Sequence, residues 1–349
     1  MSVERVLLAS PRGYCAGVEK AIKALAWMVR VFEPPVYCYH EIVHNRYVVE
    51  QFRRQGVVFV DDVSTVPAGA PLMLSAHGSA PEVVAQARQD GRVVVDAVCP
   101  LVTKVHHELK VRAAKGFQVL YVGHEGHEEA VGTMAVAPEA VSLVCSEADV
   151  DDVAASVDPD APVALLAQTT LSHDEWAGIV ERARERFANL WQPSRSDLCF
   201  ATTNRQAALK AIAGRSDAVV VIGSVNSSNT RALEKVAAAC GCSRVVRVND
   251  ASELPDDLEG TVGVTAGASA PDELVEEVLR ALDPVAGVEE VMVTVEEEYF
   301  PAPPELREIL KSLVDAIAVA VGGCEAPDDP FDDRQQSASA ALSALGVGD

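Results

Sequence analysis

Three cysteines occupy similar points of the sequence, each where an apolar run gives way to a helical pattern. Cys15 lies in a glycine-rich turn, and Cys99 and Cys199 each come directly before a helical pattern. The positive end of a helix dipole favours the thiolate form of such a cysteine. Three thiolates meeting at one point would suit a [4Fe–4S] cluster whose fourth iron has no protein ligand, and an open iron can act as a Lewis acid on a substrate oxygen. Because no C-x-x-C pattern is present, three separate core cysteines are the alternative.

Histidines lie beside the ends of predicted strands. His77 separates a strand-like run from a helical pattern, and segment 123–129, Gly-His-Glu-Gly-His-Glu-Glu, follows the strand-like run 118–122. Parallel α/β sheets bind ligands at the carboxyl ends of their strands, so these side chains are candidates for ligand contacts. For any one of them an ordinary surface histidine is the alternative.

His40 and His44 fit the zinc-protease pattern H-E-x-x-H. That pattern binds zinc on a helix, which brings both imidazoles to one face. A strand-like run leads into His40, and a helix is predicted only from about Asn45. Zinc binding at these two residues is therefore disfavoured.

Two loops between a predicted strand and a predicted helix are rich in small hydroxyl and amide residues. They are segments 223–229, Gly-Ser-Val-Asn-Ser-Ser-Asn, and 265–272, Thr-Ala-Gly-Ala-Ser-Ala-Pro-Asp. With the free amides of a helix N-terminus such residues can bind a phosphate, although they are also ordinary helix caps. Segment 168–172, Gln-Thr-Thr-Leu-Ser, adds hydroxyl groups at a third strand end. Neither loop is a Walker A or a G-x-G-x-x-G sequence, so nucleotide binding has no support.

The elements that would position these residues alternate between valine-rich runs and helical patterns. Continuous apolar runs indicate strands covered on both faces, and the intervening helices indicate an α/β fold with parallel sheets. The spacing of the cysteines predicts three small α/β domains, at 17–99, 100–197 and 198–283. Residues 1–16 would join the third domain. A C-terminal extension covers 284–349, and its acidic, Ser/Ala-rich sequence predicts disorder from about residue 325.

Composition limits the possible functions and location. The chain has 349 residues, and its 29 basic and 52 acidic residues give a net charge of −23. This charge argues against nucleic-acid binding but allows a small anion in a local pocket. Since neither a signal peptide nor a run of about 18 apolar residues is found, we expect a cytoplasmic protein without membrane contact. The 8 cysteines then suggest thiols or metal ligands more than disulfides.

Separated motifs, in one order along the chain, resemble a single family. They are Pro-Arg-Gly-Tyr-Cys-Ala-Gly at 11–17, His-Asn-Arg-Tyr-Val-Val at 44–49, Ser-Ala-His-Gly at 75–78, Cys-Pro-Leu-Val-Thr-Lys-Val-His at 99–106, Gly-His to Gly-Thr at 123–133, Gln-Thr-Thr-Leu-Ser at 168–172, Ala-Thr-Thr-Asn-Arg-Gln at 201–206, Asn-Ser-Ser-Asn at 226–229, and Gly-Ala-Ser-Ala-Pro-Asp at 267–272. From about residue 5 to 283 the chain resembles the 4-hydroxy-3-methylbut-2-enyl diphosphate reductases, the IspH/LytB family.

This resemblance implies a trefoil of three pseudo-equivalent α/β domains around a central [4Fe–4S] cluster with one open iron. Its three ligands would be Cys15, Cys99 and Cys199. The implied reaction removes an allylic hydroxyl with two electrons and two protons, giving isopentenyl and dimethylallyl diphosphates in the non-mevalonate isoprenoid pathway. The expected catalytic residues are Glu129, Thr170 and His127. The residues expected to bind the substrate are His44, His77, His127, Thr170, Thr202, Ser227, Ser228, Asn229 and Ser269.

The electrons would come from a reduced ferredoxin or flavodoxin, or an equivalent donor. We expect the protein to be a monomer or a homodimer. Three positions depart from the family pattern. Val98 stands where threonine often precedes the second cysteine, Phe200 where tyrosine often follows the third, and Val225 where a basic residue is common. The departures bear on tuning of the cluster and on diphosphate affinity, and the reaction class is unaffected.

Other functions fit parts of the sequence. A non-catalytic iron–sulfur sensor of redox state or ligand would need the cysteines but not both Glu129 and Thr170. A zinc hydrolase would use a histidine pair, His40 with His44 or His124 with His127. Quinolinate synthase shares a three-cysteine cluster in a pseudo-threefold α/β frame, but the motifs here are not its motifs.

Overall fold

A computed structural model describes residues 2–193, 196–320 and 332–346 of the chain. Its strands are β1 Ser2–Ser10, β2 Val36–Tyr39, β3 Val57–Val60, β4 Pro71–Leu74, β5 Val93–Asp96, β6 Gln118–Val122, β7 Val141–Val144, β8 Val163–Ala167, β9 Leu190–Trp191, β10 Ala218–Ile222, β11 Val245–Val248, β12 Glu259–Ala266 and β13 Val288–Met292. Its helices are α1 Ala16–Val31, α2 Arg46–Arg54, α3 Pro81–Ala87, α4 Pro100–Ala114, α5 Glu128–Met134, α6 Glu147–Ser156, α7 His173–Arg186, α8 Phe200–Ala213, α9 Ser228–Ala239, α10 Asp272–Leu282, α11 Pro304–Ala320 and α12 Ala338–Ser343.

The described strands form three sheets, in which every pair is parallel. The strand orders are β11-β10-β12-β1-β13, β3-β2-β4-β5 and β7-β6-β8-β9. The N-terminal strand β1 lies inside the first sheet, where Val6 pairs with Val262 of β12 and with Val288 of β13. The predicted α/β fold with three small parallel sheets is confirmed, and the predicted domain boundaries stay predictions.

The strands of the third sheet are continuous apolar runs because both faces of the sheet are buried. Leu120 and Val122 of β6 pack into one buried cluster, while Val119 and Tyr121 of the same strand pack into another. Because successive side chains of a strand point to opposite faces, both faces of this sheet are covered by helices.

The chain divides into two compact units. The first comprises Met1–Cys15, His44–Arg46 and Leu101–Glu297, and it contains the first and third sheets. The second comprises Ala16–Val43, Tyr47–Pro100 and Glu298–Asp349, and it contains the second sheet with the C-terminal helices.

The C-terminal extension differs from the predicted disorder where the structure describes it. Residues 332–346 contain α12, which packs against α1 within the second unit. The Ala338 amide donates to Glu19 at 2.8 Å, and Ala341 is buried. Alanine side chains allow this close packing, which composition alone does not reveal. Residues 325–331 and 347–349 lie outside the described part of the chain.

None of the helices within residues 2–193, 196–320 and 332–346 has both the length and the apolar character needed to cross a bilayer.

Candidate functional site

The turns that carry the three predicted cluster ligands are held in the same way. Each cysteine donates its backbone amide to a carbonyl in the loop that follows another strand. The pairs are Cys15 with Ala268 at 3.1 Å, Cys99 with Ala76 at 3.0 Å, and Cys199 with Thr169 at 3.1 Å. In each pair the residue after the acceptor is a predicted substrate-binding residue, namely Ser269, His77 and Thr170. Each hydrogen bond therefore joins a candidate iron ligand to the residue before a candidate substrate contact, at one strand end.

The Cys15 turn requires a glycine and is held by a buried arginine. Gly13 has φ of 67°, and a Cβ there would lie 3.1 Å from the Ala270 carbonyl oxygen. Arg205, which is fully buried, donates to the Gly13 carbonyl at 3.0 and 2.8 Å and to the Tyr14 carbonyl at 3.0 Å. These contacts fix the backbone immediately before the cysteine.

Cys199 is the N-cap residue of α8. Its Sγ accepts a hydrogen bond from the Thr202 amide at 3.2 Å and lies 3.0 Å from Thr202 Oγ1. Burial, with a smaller contribution from the nearby Cys15, raises the pKa of the Cys199 thiol to about 11, against the lowering effect of the hydrogen bonds from Thr202. Binding of a metal displaces the proton from a thiol such as Cys199 and leaves a thiolate ligand, and Cys15 lies close enough to act as a second donor. This pair of donors therefore fits an iron–sulfur cluster.

Cys99 lies in the second unit, in the turn before α4. The neighbouring Val98 carbonyl accepts a hydrogen bond from Lys20 Nζ at 2.8 Å. Burial lowers the pKa of Lys20, and the negative charges of Cys99 and Asp96 oppose that shift. His77 lies in the same unit, between β4 and α3. The Lys20 ammonium therefore lies beside the turn that carries Cys99.

Glu129 is a buried carboxyl group in the first turn of α5, only 2% exposed. It accepts hydrogen bonds from the Thr169 amide at 2.7 Å and from Thr169 Oγ1 at 2.9 Å. Burial, with a smaller contribution from Asp197, raises its pKa to about 7 against the lowering effect of the hydrogen bonds from Thr169. A carboxyl group with this pKa can hold and release a proton near neutral pH.

His127 is the N-cap residue of the same helix. Its Nδ1 accepts a hydrogen bond from the Glu129 amide at 3.1 Å, so the neutral ring carries its proton on Nε2. The ring centroids of His127 and His44 are 5.5 Å apart in an edge-to-face arrangement. The His44 carbonyl in turn accepts from Ser269 Oγ at 2.8 Å. Two predicted diphosphate-binding histidines and Ser269 therefore belong to one cluster.

The N-terminus of α9 carries the other predicted anion-binding residues. Ser227 is its N-cap, and Ser228 Oγ lies 3.3 Å from His124 Nδ1. Asn229 Oδ1 accepts from the Ala268 amide at 2.8 Å, which ties this helix to the loop of Ser269. Free amides and neutral hydroxyl groups here suit an anion.

Gln168 and Thr169 were not among the predicted site residues. Gln168 is fully buried, and its Nε2 donates to Thr170 Oγ1 at 2.8 Å and to Ser228 Oγ at 3.2 Å. Thr169, not Thr170, is the threonine bonded to Glu129. The signal was a polar Gln-Thr-Thr run directly after five apolar strand residues, but the sequence does not tell which hydroxyl faces the carboxyl group.

Within the first unit, a continuous set of contacts connects most of the predicted site residues. These are Cys15, Cys199, His44, His127, Glu129, Thr170, Thr202, Ser227, Ser228, Asn229 and Ser269. Cys99 and His77 belong to the second unit. Residues 40–44 are not helical and α2 begins at Arg46, so the H-E-x-x-H segment lacks the helix that a zinc protease requires.

Residues 6–283 match the LytB protein family. The 4-hydroxy-3-methylbut-2-enyl diphosphate reductase of Leifsonia xyli subsp. xyli is 49% identical over 310 residues, covering 87% of this chain and 91% of that protein. The reductase of the same name from Rhodopirellula baltica is 44% identical over 312 residues, covering 88% and 97%. The solved structure of the E-1-hydroxy-2-methyl-but-2-enyl-4-diphosphate reductase from Plasmodium falciparum superposes with a TM-score of 0.85 at 29% identity, covering 89% of this chain and 99% of that one.

Proposed function

The chain belongs to the LytB family, and we infer that it catalyses the reductive dehydroxylation of 4-hydroxy-3-methylbut-2-enyl diphosphate. The reaction consumes two electrons and two protons, breaks the allylic C–O bond and releases water. A C–H bond forms at one end or the other of the allylic system, giving isopentenyl or dimethylallyl diphosphate. This is the terminal reductive step of the non-mevalonate isoprenoid pathway. The alternative of a non-catalytic iron–sulfur sensor has no support from these relatives.

The observation that carries this function is the buried Glu129. Hydroxide is a poor leaving group, so the C–O bond breaks readily only when a proton reaches the departing oxygen. With its pKa raised to about 7 by burial, Glu129 can supply that proton at neutral pH. The hydrogen bonds from Thr169 hold the carboxyl group in one orientation.

We assign the proton path to Glu129 with Thr169 as its positioning residue. Thr170 remains the proposed contact to the substrate hydroxyl, oriented by Gln168. His127 presents an Nε2–H donor when neutral, because its Nδ1 is occupied by the Glu129 amide. It would thereby contact the substrate near the leaving hydroxyl group or the diphosphate.

The diphosphate would bind to His44, His77, Ser227, Ser228, Asn229 and Ser269, with Thr202 lining the same cavity. These residues offer neutral or cationic donors, and α9 adds the positive end of its dipole. A local lining of this kind allows a chain of net charge −23 to bind a polyanion. The exposed Val225 reduces positive charge at this loop where a basic residue is common.

The family is one of iron–sulfur enzymes, and we propose a [4Fe–4S] cluster held by Cys15, Cys99 and Cys199. When bound, this group supplies electrons one at a time and an iron that can act as a Lewis acid. The protein's part is to hold the thiolates, exclude water and place the proton donors. We further propose ferredoxin or flavodoxin as electron donor, a cytoplasmic location, and a monomer or homodimer.

Anaerobic turnover of the hydroxylated diphosphate with a strong one-electron reductant tests the reaction. We expect isopentenyl and dimethylallyl diphosphates as products, and absence of both from cluster-loaded protein would contradict the proposed function.

The cluster assignment has a separate test, which does not depend on turnover. Anaerobically purified protein should bind about four irons per chain. Cys199→Ser should lose most of this iron, whereas Cys145→Ser, at an exposed cysteine, should keep it. Full iron content in Cys199→Ser would contradict the assignment.

A further inference from the structure

The helix that follows each proposed cluster cysteine carries a basic residue in its second turn. Lys20 of α1, Lys104 of α4 and Arg205 of α8 come five, five and six residues after Cys15, Cys99 and Cys199 respectively. Helix dipoles favour basic residues in the last turn, so the dipoles of their own helices do not explain these positions. Their contacts show what each of them holds.

Arg205 makes the most extensive of these contacts. Besides the Gly13 and Tyr14 carbonyls before Cys15, its guanidinium binds Glu296 at 2.9 and 3.1 Å. Its side chain is 0% exposed, so the ion pair is formed away from water. The forked geometry of arginine lets one side chain hold all of these acceptors at once.

Lys20 does the equivalent at the next cysteine. It is 8% exposed, and its ammonium donates to the Val98 carbonyl immediately before Cys99. Cys99, Asp96 and Glu305 act on Lys20 through their charges, while its described hydrogen bond is to this carbonyl. Burial of the ammonium is costly, because the charge is removed from water. The position is therefore better explained by the cysteine turn than by stability.

Lys104 contacts the segment before the third cysteine through a carboxylate and not through a backbone carbonyl. Its Nζ lies 3.5 Å from Asp197 Oδ1, two residues before Cys199. Asp197 is fully buried, and its other oxygen accepts from the Ala167 amide at 3.2 Å. Lys104 is 49% exposed, so its effect is partly screened by water.

We propose that Lys20, Lys104 and Arg205 are positioning residues, each carried by the helix after one cluster cysteine and each holding the turn before the next. The order is cyclic: the helix after Cys15 supplies the Cys99 turn, the helix after Cys99 supplies the Cys199 turn, and the helix after Cys199 supplies the Cys15 turn. In each of the three contacts, both partners belong to the same compact unit: the second unit for Lys20, and the first unit for Lys104 and Arg205.

The proposal rests on the proposed cluster site and adds a charge argument to it. Three thiolates bring three negative charges, and reduction of a cluster adds another. The ammonium of Lys20 lies against a carbonyl and can stabilise a thiolate and the reduced state by its charge, whereas Arg205 and Lys104 are ion-paired with Glu296 and Asp197 and act mainly by holding their turns. Removing Lys20 should therefore speed iron loss and make reduction harder, even where the fold is unaffected.

Lys20→Met is the decisive variant, since methionine keeps the volume of the stem and removes the charge. We expect iron loss to a chelator at least fivefold faster than in the wild-type chain. We also expect a reduced fraction about tenfold lower at fixed potential, a shift of about 59 mV for one electron. The thermal midpoint of the apoprotein should stay within about 3 °C of wild type, because loss of a hydrogen bond and relief of a buried charge oppose each other.

Lys23→Met is the matched control on the same helix. Lys23 is 7% exposed, but it binds Glu19 and the Asp333 carbonyl and does not hold a cysteine turn. We expect iron loss at the wild-type rate, whatever its effect on the thermal midpoint. Equal iron loss and equal potential in Lys20→Met and wild type would overturn the proposal.

Arg205→Lys is a second test variant. It keeps the positive charge but removes the planar guanidinium that binds several acceptors at once. It should also speed iron loss, with a smaller change in potential than Lys20→Met. Lys104→Met should have the smallest effect of the three, and a larger effect than at Lys20 would contradict the ranking by burial.

Cys99→Ser distinguishes failure of the proposed cluster site from failure of the proposed role of the basic residues. If it loses its cluster while Lys20→Met behaves as wild type, the cluster site stands and the role of the cations is refuted. If Cys99→Ser keeps its full iron content, the cluster assignment fails, and the proposal for the cations fails with it.

Discussion

Two glutamates lie at matching positions in helices that follow neighbouring strands of the third sheet, and their pKa values are shifted in opposite directions. Glu129 lies in the first turn of α5, which follows β6, and Glu175 lies in the first turn of α7, which follows the neighbouring β8. Burial raises the pKa of Glu129 to about 7. The pKa of Glu175 is lowered well below its ordinary value, first by His124 and then by Lys235 and Ser172.

The difference comes from the partners and from access to water. Glu129 is fully enclosed and bonded to Thr169, with no cation in contact among the described residues. Glu175 is half-buried, pairs with Lys235, and accepts from the Ser172 amide at 3.1 Å and hydroxyl at 2.9 Å in a capping box. One position is built to hold a proton and the other to hold a charge.

The largest effect is expected for Glu129→Gln. Turnover should fall by about 10²- to 10⁴-fold, the usual range for loss of a general acid, while substrate Kd stays within about threefold. Anaerobic steady-state kinetics with parallel calorimetry on the unreduced protein would measure both. Glu175→Gln is the matched control and should keep turnover within about threefold. Equal turnover in Glu129→Gln and wild type would refute the proton role.

The pH dependence of turnover is the next largest effect. If protonated Glu129 is required, kcat should fall about tenfold per pH unit above about 7, because the carboxyl group then ionises. In Glu129→Gln this alkaline decline should be absent. A decline with the same midpoint in both chains would assign the titration to another group.

Thr169→Val removes one hydrogen bond to the carboxylate and leaves the bond from the backbone amide. We expect about tenfold lower kcat and an alkaline limb shifted to higher pH, because the ionised form of Glu129 loses a donor. Thr170→Val, one residue away, should leave the position of this limb unchanged. A shifted limb in Thr170→Val with none in Thr169→Val would reverse the two roles.

The smallest expected effects are on the free energy of unfolding, and its dependence on pH should have opposite signs for Glu175 and Glu129. Glu175→Gln should lower the free energy of unfolding by about 1 kcal/mol at pH 7. This difference should shrink as the pH falls below the ordinary glutamate pKa of 4.5. The lowered pKa of Glu175 contributes its full stability above 4.5, and this contribution is lost gradually as the pH falls towards the folded-state pKa. For Glu129 the raised pKa makes stability decline as pH rises from 4.5 to about 7, and Glu129→Gln should remove that decline. Urea unfolding across this pH range would reveal both trends, and parallel curves for the two variants would contradict them.

Sequence patterns predicted the parallel sheets because continuous apolar runs are dictated by burial on both faces. They also located the cysteine turns and the loop before α9, where helix starts and small polar residues coincide. They did not distinguish Thr169 from Thr170, because neighbouring hydroxyls differ only in the direction of the side chain. They also could not separate Glu129 from Glu175, since both are acidic residues in a first helical turn and only the surrounding side chains set their pKa.

The cations were missed for a related reason. Lys20 and Arg205 look in sequence like ordinary surface residues of amphipathic helices. Their function depends on carbonyl groups about 80 and 190 residues away in the chain, and on burial that follows only from the assembled sheets. Long-range contacts of this kind leave no local pattern.

The ion pair between Arg205 and Glu296 bears on the length of the shortest chain that we expect to be active. The family match ends at residue 283, yet Glu296, which neutralises the buried guanidinium, and β13, which flanks β1, lie beyond it. A chain cut after 283 would contain every proposed ligand and every proposed catalytic residue. It would nevertheless strand a buried charge, at a cost of about 3–5 kcal/mol, and expose the edge of the strand that leads to Cys15. We therefore expect the shortest active chain to extend past the end of the family match at residue 283, to residue 296 or beyond.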